Sequence, residues 1–82
     1  MLYEIYGTDN CGICEKAKQL LLRHDKAYTF IDVSESVDVN RAFFNRFPGV
    51  KTVPQIVLGD DHIGGYDELK NSLTLDAIES IL

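Results

Sequence analysis

Apolar and polar positions along the chain alternate between two periods. Residues 2–6 (LYEIY) are rich in β-formers, alternate, and end at Gly7, so they predict a strand. From Gly12 to His24 the apolar Ile13, Ala17, Leu20 and Leu21 fall at i, i+4, i+7 and i+8, one face of a helix that Arg23 and His24 close. Residues 27–33 (AYTFIDV) predict a second strand. Residues 34–47 (SESVDVNRAFFNRF) open with serines and acids, as a helix start does, and stop at Pro48-Gly49. Residues 52–59 (TVPQIVLG) predict a third strand entered through Pro54. Gly59-Asp60-Asp61 is turn chemistry, and residues 62–64 (HIG) predict a short return strand. From Tyr66 onward a helical pattern turns Leu69, Leu73, Ala77, Ile78 and Ile81 inward, with Thr74 a point at which it divides into two short helices. Phe43, Phe44 and Phe47 stand at helical spacing and read as core.

The order β-α-β-α-β-β-α sets the fold class. A first β-α-β unit gives parallel strands with a right-handed crossover, and a terminal hairpin adds antiparallel ones. The expectation is an α/β fold with a four-stranded mixed sheet flanked by helices. The 82 residues suit a single domain over 1–82, and 45% hydrophobic residues supply a modest core. A formal net charge of −5 with scattered Lys and Arg argues against a nucleic-acid footprint and against an anionic membrane surface. No apolar run approaches the ~20 residues of a membrane span, and MLYEIYG carries no basic leader. The expected setting is a reducing cytoplasm, with the protein acting as a monomer.

Within that frame the two cysteines are conspicuous. Cys11 and Cys14 are three apart, at the junction of the first strand and its helix, and the chain has no others. Amides at a helix N-terminus have no intrahelical partner and the dipole there is positive, so a thiolate at Cys11 is stabilised and its pKa drops from about 8.5. Cys14, one turn later, can reach it. Cys11 can therefore attack a disulfide and be released from the mixed disulfide by Cys14. Three other uses compete. A structural disulfide would close a tiny loop with little entropic gain. A zinc site needs about four ligands, and His24 and His62 do not form the usual spaced pair. Inert buried cysteines are common singly, but C-x-x-C beside a β-α-β pattern favours redox chemistry.

The chain resembles a glutaredoxin, from EIYGTDNCGIC through TVPQIV to HIGGYDEL. The resemblance implies a thioredoxin-like fold and glutathione-dependent reduction of protein disulfides and of protein–glutathione mixed disulfides. It implies that Cys11 is the nucleophile and Cys14 the resolving thiol. Pro54 matches the family's cis-proline, which would turn the Val53 backbone toward Cys11 so that glutathione or a peptide pairs there as an added strand, with Thr52 beside it. Gly64 and Gly65 would let a ligand backbone approach, Tyr66 would flank it, and Asp67 would take the γ-glutamyl ammonium. Arg41 matches a position that contacts glutathione's glycine carboxylate. Read without the family, Gly64-Gly65 is a strand-to-helix turn, Asp67 a first-turn acid and Arg41 an exposed helix residue.

Two departures bear on glutathione affinity. The commonest family sequence is Cys-Pro-Tyr-Cys, whereas Gly12 and Ile13 stand between the cysteines here. Many members carry Lys three residues before the first Cys, where this chain has Thr8, and Asp9 and Glu15 add negative charge nearby. Two further readings therefore stand beside the leading one. One is a thioredoxin-like hydrogen donor, for example to ribonucleotide reductase. The other is a carrier in which two chains share a [2Fe–2S] cluster through Cys11 and two glutathiones. Otherwise no metal is expected, and the partners are glutathione and disulfide-containing proteins. His24 and His62 read as helix-end and strand-surface residues.

Overall fold

The structure, a computed structural model, describes the backbone of residues 2–81 and the side chains of residues 2–79. The element order is β1 (Tyr3–Gly7), α1 (Gly12–Arg23), β2 (Tyr28–Asp32), α2 (Val37–Arg46), β3 (Gln55–Leu58), β4 (Asp61–Gly64) and α3 (Tyr66–Ile81). The sheet runs β2-β1-β3-β4, with β1 parallel to β2, β3 antiparallel to β1 and β4 antiparallel to β3. This is the expected α/β, thioredoxin-like arrangement of four mixed strands and flanking helices.

Because side chains alternate along a strand, each strand feeds two cores. Tyr3 and Ile5 of β1, Tyr28 and Phe30 of β2, and Ile56 and Leu58 of β3 meet Ala17, Leu20 and Leu21 of α1 and Leu69 and Leu73 of α3. The other face joins Tyr6, Ile31 and Val57 to Val33, Phe43 and Phe47. The Tyr6, Phe43 and Phe47 rings stand about 5.5 Å apart in tilted and edge-on contacts, the geometries aromatic quadrupoles favour. Arg46 lies over the Tyr6 and Phe47 rings, hydrogen-bonds the Tyr6 hydroxyl and stands 3.5 Å from Glu4.

Several elements differ from their expected bounds. α1 turns Cys14, not Ile13, to the core: Cys14 is fully buried and Ile13 is 51% exposed. α2 starts later than expected. Asp32 accepts from the Ser34 amide and hydroxyl at 2.8 and 2.6 Å, which holds its carboxyl below the ordinary 3.8. Ser36 is the N-cap, accepting from Val39 N–H. β3 begins at Gln55, so Thr52, Val53 and Pro54 lie outside the ladder. Pro54 has no N–H to donate, and the Gln55 side chain occupies the Thr52 carbonyl. α3 runs unbroken through Thr74, whose hydroxyl donates back to the Lys70 carbonyl at 2.9 Å. Of its expected inward residues, Leu69 and Leu73 are buried while Ala77 and Ile78 are exposed; the Ile81 side chain lies outside the described residues. Phe44 is likewise 45% exposed, packed edge-on against Phe43 rather than within the core. Among the described residues no helix is long and apolar enough to cross a membrane.

Candidate active site

The site forms where β1 ends and α1 begins. Cys11 is the N-cap of α1, with extended backbone (φ −113°, ψ 104°), and its carbonyl accepts the first helical bond from Glu15 N–H. A cysteine there acts as Ser or Asp would: its sulfur accepts from Cys14 N–H at 3.1 Å. The one-turn spacing brings the two Cα atoms to 5.2 Å, and the sulfurs are joined as a disulfide. Cys14 is sealed in the protein while Cys11 is part exposed.

Gly7 makes that seal. A Cβ at Gly7 would stand 2.7 Å from Cys14 Sγ and 3.0 Å from the Phe30 ring. The end of β1 therefore has to be glycine for α1 to approach so closely. Gly12 is the opposite case, with nothing within 4 Å of an added Cβ. Glu15 is not a bare negative charge beside the thiols. Lys18 pairs with it at 2.8 Å and lies 3.9 Å above the Phe30 ring.

A groove of about 510 Å³ flanks the cysteine turn. Thr52, Val53 and Pro54 form one wall, Gly65, Tyr66 and Asp67 the other, and Ile13 and Lys16 of α1 close its end. The Val53–Pro54 peptide is cis. No described residue makes a backbone hydrogen bond to Val53. At the opposite wall Glu68 reaches back to Gly65 N–H at 3.0 Å, half of a capping box. Gly65 has no side chain with which to cap the next amides, and among the described residues no other side chain caps the start of α3 beside the Asp67 carboxylate.

Of the residues expected at the site, Thr52, Val53, Pro54, Gly65, Tyr66 and Asp67 line this groove; Arg41, exposed on α2, does not. Lys16 is the basic residue that does, and sequence reading passed over it. Its signal was the i, i+3 spacing from Ile13. His62 is a strand-surface residue of β4, as expected, and it also makes contacts: its ring packs 4.5 Å from Phe47, and its Nε2 lies 2.7 Å from Gln55 Oε1. Among the described residues no group of three or more His, Cys, Asp or Glu side chains is placed to hold a metal ion.

Comparison with known proteins gives this geometry a lineage. Residues 3–63 match the family model described as Glutaredoxin. Glutaredoxin 1 of Rickettsia typhi is 40% identical over 68 residues, covering 82% of this chain but 65% of that protein. A hybrid peroxiredoxin of Haemophilus influenzae is 39% identical over 66 residues, covering 80% of this chain and 27% of the larger protein. The match thus spans under two thirds of both relatives. The solution structure of glutaredoxin from Brucella melitensis superposes with a TM-score of 0.74 at 32% identity, over 98% of this chain and 86% of that one. With a C-x-x-C pair at the N-terminus of α1 in a thioredoxin-like fold, the chain belongs to the glutaredoxin family.

Proposed function

We propose that this protein reduces protein–glutathione mixed disulfides and protein disulfides, with Cys11 as nucleophile, Cys14 as resolving thiol and glutathione as reductant. The observation that carries the reading is the asymmetry of the two sulfurs. Cys11 is part exposed and its Sγ already receives an N–H, which stabilises its thiolate form, while Cys14 is fully buried. On a mixed disulfide the Cys11 thiolate attacks the glutathione sulfur, and the target leaves as a thiol. A second glutathione thiolate then attacks the Cys11–glutathione bond, so that oxidised glutathione leaves and Cys11 is restored. On a protein disulfide the first attack gives a Cys11–target mixed disulfide and one target thiol. Cys14 then attacks Cys11, frees the second target thiol and leaves the Cys11–Cys14 disulfide, which two glutathiones reduce.

The groove suits glutathione's ends. A ligand backbone can pair with the free edge at Val53. At the α3 wall an amino-acid zwitterion meets both signs, its carboxylate at the uncapped amides and its ammonium at Asp67. Lys16 faces the same space as a counter-charge for a second carboxylate. Arg41 would have to reach in from outside, so we assign it no direct contact.

The test couples the purified protein to NADPH through either glutathione with glutathione reductase or thioredoxin reductase. Turnover of a glutathionylated peptide through the glutathione couple is expected. Cys11→Ser should abolish it, whereas Cys14→Ser should keep it and lose reduction of protein disulfides. Turnover only through thioredoxin reductase would replace this reading with the hydrogen-donor one.

A further inference from the structure

Gln55 is the one polar side chain buried among the described residues, 7% exposed at the first position of β3. Its amide is fully engaged. Nε2 donates to the Thr52 carbonyl at 3.0 Å and lies 3.4 Å from the Thr52 hydroxyl, while Oε1 stands 2.7 Å from His62 Nε2. The orientation is unambiguous because a carbonyl only accepts: flipping the amide would set two oxygens against each other at Thr52. Gln55 Oε1 therefore accepts, and His62 Nε2 carries the proton. His62 in turn packs its ring on Phe47, at the C-terminal end of α2. Contacts thus run from α2 through β4 and β3 into the loop ahead of Val53.

The target of this chain of contacts is a particular peptide plane. The Thr52 carbonyl and the Val53 N–H belong to one peptide unit, which is trans, so the two bonds point in opposite directions. Pinning the carbonyl inward on Gln55 aims the Val53 N–H outward, and no described residue takes it. We propose that Gln55 is a positioning residue for the disulfide substrate: it fixes the rotation of the Thr52–Val53 peptide that presents the docking N–H, and His62 holds Gln55 in that orientation. The inference rests on the reading that substrate docks at Val53.

Gln55→Leu removes both amide bonds at nearly constant volume. It should raise KM for a glutathionylated peptide about tenfold, leave kcat within about twofold, and leave the alkylation rate of Cys11 unchanged, since that reaction uses no docking edge. His62→Phe keeps the ring against Phe47 but removes the proton donor; a KM increase of about threefold is expected. The signature that separates aiming from general loosening is spectroscopic. In Cys14→Ser protein, oxidised glutathione leaves one glutathione on Cys11 and releases the other as thiol. The Val53 amide should become protected from hydrogen exchange in that adduct and lose the protection when Gln55→Leu is added. Val53 protection that survives Gln55→Leu, with KM unchanged in both variants, would overturn the positioning role. A Val53 amide that is unprotected even with Gln55 present would overturn the docking reading itself, and this inference with it.

Discussion

Two glycines beside the cysteines have opposite obligations. At Gly7 there is no room: an added Cβ would fall 2.7 Å from Cys14 Sγ. Gly7→Ala should destabilise the reduced protein by about 1–3 kcal/mol, as overpacking does. The strain is aimed at one sulfur, so a Cys14→Ala background should absorb part of it. Urea unfolding of the four reduced proteins measures this as a coupling energy of about 1 kcal/mol; additive effects would place the crowding at Phe30 instead. Gly7→Ala should also impair reduction of protein disulfides more than of glutathione mixed disulfides, because only the former needs Cys14. At Gly12 there is room. It is the first residue of α1, where proline is favoured, and Cys11 before it already has the extended backbone that a pre-proline residue adopts. Gly12→Pro should therefore raise the stability of the reduced protein by about 0.4–1 kcal/mol, read from the thermal midpoint.

At the scale of elements, α1 ends in a Schellman motif that carries the wrong residue. Lys26 N–H bonds the Leu21 carbonyl at 2.9 Å and Asp25 N–H the Leu22 carbonyl at 3.1 Å, with Asp25 left-handed at φ 56°. Glycine suits that backbone, and an acid sits poorly at the negative end of a helix. Asp25→Gly should stabilise the fold by about 0.5–1 kcal/mol, measured by chemical unfolding; no gain would mean that unfolded-state entropy offsets the relief. The existence of all seven elements was legible in the sequence, because hydrophobic period and Gly/Pro punctuation are local signals. Their edges were less so. β3 loses Thr52 and Val53 to a side-chain bond from Gln55, a tertiary contact that periodicity does not encode. α3 crosses Thr74 because the hydroxyl satisfies itself on Lys70. The cysteines and the TVP and GGYD segments were legible as motifs. Lys16, Gln55 and His62 were not, since each acquires its role only when separate elements fold against one wall.

At the scale of the whole molecule, charge acts before contact does. Thirteen acidic and eight basic side chains leave a net −5. Of the charged residues lining the groove, Asp67 and Glu68 outnumber Lys16. Such a field steers cations inward and slows anions, and salt screens it within a Debye length of about 10 Å at 0.1 M. The two halves of the proposed cycle should therefore respond to salt in opposite directions. At about 0.01 M salt, kcat/KM for a glutathionylated peptide of net positive charge should exceed that of a matched acidic peptide by about tenfold, the low end of electrostatic steering. The two values should converge near about 0.5 M. Glutathione carries two carboxylates against one ammonium and is itself an anion, so re-reduction of the oxidised protein should accelerate as salt rises. Stopped-flow traces of each half-reaction across a salt series resolve the two slopes. Parallel slopes would mean that local contacts at Lys16 and Asp67, and not the net charge, govern encounter. A preference for the cationic peptide that persists at high salt would place its origin inside the groove.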